Sequence, residues 1–121
     1  MPGLDHVALA VRDPRRSLRF YRETIGVEGA VREEEDGYVI TTAAGVAFTL
    51  LKGVPPADPG EFHIGASLPN REAVMARREE LRSLGLSEIE WSDEPGYVST
   101  KVRDPDGYVV EIFWDAKHSR A

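Results

Sequence analysis

Apolar and polar residues alternate through "LDHVALAV", with Leu4, His6, Ala8 and Ala10 on one face and Asp5, Val7, Leu9 and Val11 on the other. A period of two belongs to a β-strand. In "RDPRRSLRFYRETIG" the spacing lengthens to that of a helix, and Leu18, Tyr21 and Ile25 form its apolar stripe. Asp13 suits the N-cap, Pro14 the first helical position and Gly26 the end. Three short strands are then predicted, around "AVREE", "GYVITTA" and "VAFTLLK", divided by Asp36-Gly37 and by Ala44-Gly45.

The Pro- and Gly-rich stretch "GVPPADPGE", Gly53 to Glu61, reads as a linker, and beyond it the pattern restarts. "EFHIGASL" alternates as a strand, Asn70 is the next cap, Val74, Leu81 and Leu84 give a second stripe, and Gly85 ends that helix. "SEIEWS", "GYVSTKV" and "GYVVEIFW" supply three further strands, the last two joined by the turn "DPDG". One domain of two modules is expected: residues 1–53, a linker over 54–60, and residues 61–115.

The halves align. His6 precedes the cap Asp13 as His63 precedes the cap Asn70, and "GYV" at Gly37 matches "GYV" at Gly96. "GVAFTLL" from Gly45 matches "GYVVEIF" from Gly107, which sets Thr49 against Glu111. Such a repeat predicts two copies of one supersecondary unit related by a pseudo-two-fold axis, with the two histidines at equivalent places on equivalent strands.

Composition narrows the function classes. A chain of 121 residues, 41% hydrophobic and 30% charged, can bury the core of one ordinary domain. The net charge of −6 argues against nucleic acid or an anionic membrane as partner. Arg12, Arg15, Arg16, Arg19 and Arg22 sit among acidic neighbours and read as a solvated helix face. With no cysteine there is no disulfide, thiolate nucleophile or Cys-based zinc site. No apolar run approaches the roughly 20 residues of a membrane span, and the start of the chain lacks the pattern of a signal peptide, so the cytoplasm is the expected compartment.

Taken together, the paired βαβββ pattern, "DHVALAV" with "FYRETIG", "FHIGASL" and the closing "RDPDGYVVEIFW" resemble the vicinal oxygen chelate superfamily. That group includes glyoxalase I, bleomycin-resistance proteins, fosfomycin-modifying enzymes and extradiol dioxygenases. The resemblance implies an α+β fold whose two modules form an open, incompletely closed barrel with a metal in its central cleft. It puts the metal ligands on His6, His63 and Glu111. Glyoxalase I-like members add a fourth ligand where this chain has Thr49, whose hydroxyl is a poor partner for such a metal. Two imidazoles and a carboxylate suit Fe(II) or Mn(II), with Ni(II) and Zn(II) as alternatives. A small substrate chelated through adjacent oxygens, dioxygenase-like or lyase-like chemistry, and a homodimer are implied with them.

Strand periodicity gives a separate view of the same residues. His6 shares its face with Ala8 and Ala10, His63 with Gly65 and Ser67, and Glu111 with Val109 and Phe113; the two histidine faces are small and leave room for a ligand. A carboxylate on the otherwise apolar "VVEIFW" needs a partner or a cation. Tyr97, Ser99 and Lys101 are expected on the cleft side, where Tyr97 or Lys101 can donate a proton or bind an anionic group. Tyr38 and Trp91 are candidates for aromatic walls or for core. Asp104 and Asp106 belong to a hairpin turn, and His118 to a polar tail.

The extradiol enzymes use an additional acid–base histidine that no predicted strand here supplies. Asp93 and Glu94 stand where a fosfomycin-type cluster of cations is expected. The competing reading is a metal-free protein that sequesters an antibiotic or aromatic metabolite, as bleomycin-resistance proteins do.

Overall fold

The structure, a computed structural model, describes residues 2–26, 31–42 and 45–117. They fall into two units that divide between Ala57 and Asp58. The first contains β1 (His6–Val11), α1 (Pro14–Thr24), β2 (Val31–Glu34), β3 (Gly37–Thr41) and β4 (Ala47–Lys52). The second contains β5 (His63–Ser67), α2 (Arg71–Ser83), β6 (Glu90–Glu94), β7 (Tyr97–Arg103) and β8 (Val109–Asp115). Each unit is a βαβββ module with its own open four-stranded sheet, ordered β1-β4-β3-β2 in one and β5-β8-β7-β6 in the other. β1 pairs with β4, and β5 with β8, in parallel; the other pairings are antiparallel. The class is α+β.

Local chemistry sets the helix ends. Asp13 Oδ1 accepts from Arg16 N at 3.3 Å, and Asn70 Oδ1 accepts from Ala73 N at 2.8 Å. Gly26 and Gly85, with φ of 66° and 81°, turn the chain out of each helix. One face of each sheet is bulky and covered by its own helix. Leu9, Val11, Ile40 and Leu50 are buried with Leu18 and Tyr21 in the first unit; Val98, Val102, Val110 and Ile112 are buried with Val74 and Leu81 in the second. Tyr21 meets Phe48 edge-on, with ring centroids 4.8 Å apart.

Three expectations shift by a turn or less. Phe20 and Ser17 join the buried face of α1, while Ile25 becomes its C-cap. Leu84 caps α2 and stays 47% exposed. β6 begins at Glu90 and not at Ser87, because Glu88 turns inward to Arg78 and Thr100.

Register tests the repeat residue by residue. His6 pairs with Ala47 and Thr49 with Ala8; His63 pairs with Val109 and Glu111 with Gly65. The equivalence of the histidines, and of Thr49 with Glu111, therefore holds in the hydrogen-bonded ladders. The match of "GYV" to "GYV" does not: Gly37 pairs with Leu51, and the residue in its place in the second unit is Ser99, which pairs with Phe113. Both hairpins turn over short connections, but β7 has seven residues to β3's five and reaches further past the end of β8's core. Gly37 itself is held to glycine by the close approach of β4, since a Cβ there would stand 1.8 Å from the Leu50 carbonyl oxygen. No helix of the described residues is long and apolar enough to cross a membrane.

Candidate metal centre

The second unit gathers most of the chemistry. His63 opens β5, and its Nδ1 lies 2.9 Å from the Glu61 carbonyl oxygen. A carbonyl only accepts, so Nδ1–H is the donor, and in the neutral ring Nε2 carries the lone pair. That Nε2 lies 3.6 Å from Glu111 Oε1.

Glu111 is in the middle of β8 and only 7% exposed. Its Oε2 accepts two hydrogen bonds, from the Tyr97 hydroxyl at 2.5 Å and the Ser99 hydroxyl at 2.6 Å. Both donors project from the same face of β7, as alternation predicts. Gly65 lies opposite Glu111, and the missing side chain leaves space beside Oε1 and the Phe113 ring. Burial, and then the Glu111 carboxylate, push the Tyr97 phenol above its ordinary value, so it stays a donor.

Lys101 stands directly across from Glu111 in the β7–β8 pair. Its Nζ donates to Glu90 Oε1 at 3.1 Å, and Glu90, with a smaller contribution from Glu111, holds the ammonium above its usual value.

His6 opens β1 in the first unit. Its Nδ1 lies 2.9 Å from Asp5 Oδ1, so a carboxylate accepts a hydrogen bond from Nδ1–H here as a carbonyl does at His63. At equivalent positions, both rings thus have Nδ1 engaged and Nε2 left over as the acceptor, the arrangement that metal-bound histidines adopt. Thr49, at the place equivalent to Glu111, is buried. Within each unit, among the described residues, no three His, Asp or Glu side chains are gathered as a metal site. His63 and Glu111 are the two brought together.

Metal–ligand bonds of about 2.1 Å place neighbouring donor atoms roughly 3 Å apart, so this N···O separation approaches what a shared cation needs. At 3.6 Å it exceeds a hydrogen bond. The buried carboxylate with one oxygen satisfied and one facing an imidazole lone pair fits a divalent ion.

The aromatic candidates lie elsewhere. Trp91 pairs with Thr100 on the helix-facing side of its sheet, with Arg78 Cζ 3.8 Å from its ring centroid. Arg78 also grips Glu88 with two hydrogen bonds of 2.7 and 2.8 Å. Tyr38 pairs with buried Leu50, and it is the main cause holding the Arg15 guanidinium of α1 above its ordinary value. Asp104 Oδ1 accepts from the Asp106 and Tyr108 amides, which gives it the turn-building role expected. His118 lies outside the described residues.

Sequence reasoning missed Ser99 as a donor, although it placed Ser99 on the correct face. It also missed Asp5 and Glu61 as partners of the two rings; an aspartate immediately before His6 was the available signal.

Three comparisons place the chain. Among curated proteins no match is found. Among solved structures, a possible glyoxalase from Bacillus cereus is similar with a TM-score of 0.78 at 24% identity, over 91% of this chain and 96% of that one. A variant of the fosfomycin resistance protein FosX from Listeria monocytogenes, complexed with Mn(II) and dihydroxypropylphosphonic acid, gives 0.74 at 19% identity, over 96% and 90%. A lactoylglutathione lyase from Agrobacterium tumefaciens gives 0.73 at 19% identity, over 92% of each. These likenesses are of fold. The family model of the Glyoxalase/Bleomycin resistance protein/Dioxygenase superfamily matches residues 3–112. With nearly the whole chain matched and two βαβββ modules in place, the protein belongs to that superfamily.

Proposed function

We propose that this protein is a divalent-metal-dependent enzyme of the vicinal oxygen chelate type, with His6, His63 and Glu111 as the metal ligands and Fe(II) or Mn(II) as the favoured ion. The observation that carries the reading is the His63–Glu111 pair: a lone-pair nitrogen and a buried carboxylate oxygen facing each other at 3.6 Å. A lone pair and a negatively charged carboxylate oxygen repel unless a proton or a cation lies between them. The FosX complex, which holds Mn(II), supports the choice of ion by example.

When bound, the ion supplies Lewis-acid polarisation of coordinated substrate oxygens. The chain's own residues do the rest. Gly65 and Ser67 keep the β5 face low, Phe113 offers an apolar wall, and Lys101 is a cation beside Glu111 for an anionic group or a proton transfer. The substrate class is therefore a small molecule with adjacent oxygens, converted by lyase-, isomerase- or dioxygenase-type chemistry. Thr49 in place of a fourth ligand steers the proposal away from lactoylglutathione cleavage. A homodimer belongs to the same proposal, and light scattering measures it.

Elemental analysis of the purified protein beside His63→Ala is the test. Stoichiometric Fe, Mn, Ni or Zn in the parent and its loss in the variant support the reading. A parent protein that takes up no divalent metal at micromolar free concentration hands the site to metal-free sequestration.

A further inference from the structure

We infer that Tyr97 and Ser99 are positioning residues that make Glu111 a one-oxygen ligand, their hydroxyls occupying Oε2 so that Oε1 alone is presented beside His63 Nε2. The inference rests on the metal-centre reading above and adds to it the denticity of the carboxylate and the residues that set it.

A free carboxylate can grip a cation through one oxygen or two. Here the two oxygens have different surroundings: Oε2 accepts from Tyr97 at 2.5 Å and Ser99 at 2.6 Å, while Oε1 faces the His63 ring. Hydrogen bonds from hydroxyls to a carboxylate at these lengths are of the strong, charge-assisted kind. Swinging Oε2 onto an ion requires giving up both, in a place where Glu111 is 7% exposed and water cannot substitute freely.

The donors are mounted rigidly. Ser99 and Tyr97 come from one face of β7, the strand hydrogen-bonded to β8, with Ser99 level with Phe113 and Tyr97 level with Asp115. The short side chain reaches Glu111 from the nearer position and the long one from the farther. In the first unit the ladder places Gly37 where the second has Ser99, and Thr49 where it has Glu111. Donors and carboxylate occur together in one module and are absent together from the other, as expected if the hydroxyls serve the carboxylate and not the fold that both modules share. One-oxygen ligation leaves one more coordination position open than two-oxygen ligation, which a substrate binding through two adjacent oxygens can use.

The test is titration of the metal-free protein with Mn(II), followed by calorimetry and by the loss of the free Mn(II) paramagnetic resonance signal. Ser99→Ala and Tyr97→Phe, which keeps the ring against Phe113, are compared with the parent and with Ser99→Thr, which keeps a hydroxyl. Each deletion is expected to weaken Mn(II) binding about 10-fold and the double variant up to about 100-fold, with Ser99→Thr nearer the parent. Thermal midpoints of the metal-free forms separate this effect from any general loss of stability. Deletions that bind Mn(II) as the parent does, or a Ser99→Thr that fails as badly as Ser99→Ala, overturn the inference. A folded parent that binds no Mn(II) removes the metal-centre reading itself and the inference with it.

Discussion

Gly65 faces Glu111 across the β5–β8 pair, and a Cβ built on Gly65 would stand 3.2 Å from Phe113 Cε1 and 3.7 Å from Glu111 Oε1. Its backbone is ordinary strand, so the reason for a glycine is space and not conformation. Gly65→Ala should be tolerated at a cost of about 1 kcal/mol as the Phe113 ring gives way. Gly65→Val should fold less stably and also lose affinity for Mn(II), because its branches fill the space beside Oε1. Thermal denaturation and metal titration of the pair check this; a valine variant with undiminished Mn(II) affinity shows that the space is not part of the site.

Glu88 links α2 to the sheet, accepting from Arg78 and from Thr100 at 2.7 Å. Arg78 is the main cause holding its carboxyl below the ordinary range, and the Thr100 hydroxyl helps. A folded-state value below the unfolded one gives stability that is present above the usual carboxylate range and lost as pH falls through the folded value. Glu88→Gln should cost about 1–3 kcal/mol near neutral pH and flatten the loss of stability below about pH 4.5. Urea unfolding from pH 7 down to pH 3 measures both; parallel curves for parent and variant would contradict the assignment.

The Tyr97 phenol carries the opposite sign. Its folded value is raised by burial and by Glu111, so its contribution is complete below the usual tyrosine value and is lost as pH rises through the folded one. Stability should therefore decline above about pH 10, and the decline should be shallower in Tyr97→Phe. Lys101, raised chiefly by Glu90, declines in the same direction in both proteins, and the substitution removes only the smallest of its contributions, that of Tyr97. A Tyr97→Phe protein with the parent's alkaline limb would assign that limb to other groups.

The two helix caps differ in quality. Asn70 bonds its N3 amide at 2.8 Å and Asp13 at 3.3 Å. Asn70→Ala should cost about 1 kcal/mol and Asp13→Ala less, read as the difference in thermal midpoint. A larger drop for Asp13→Ala than for Asn70→Ala would reverse the ranking.

These caps were legible in the sequence because capping is local: the residue, its offset to the next amides and the following stripe lie within one turn of chain. The likeness of Thr49 and Glu111 was legible for a related reason, since alternation on paired strands carries the face of each residue. What sequence could not give was register. The identical "GYV" triplets of Tyr38 and Tyr97 begin β3 and β7 similarly, yet the ladders place Tyr38 opposite Leu50 on the helix side and Tyr97 opposite Asp115 on the other. Pairing is decided by long-range contacts, and sliding one strand flips every side chain. The same uncertainty concealed Trp91, which lies under Arg78 on the helix-facing side of its sheet, and left Ser99 without its partner.

The longer β7 has a consequence for how such twin-module architectures diversify. A modest lengthening of one hairpin brings a phenol to the carboxylate of one copy, while the matching hairpin of its sibling stops short. Asymmetry of function then needs no new fold, no inserted domain and no disturbance of either helix. It is enough that one of two matched arms grows.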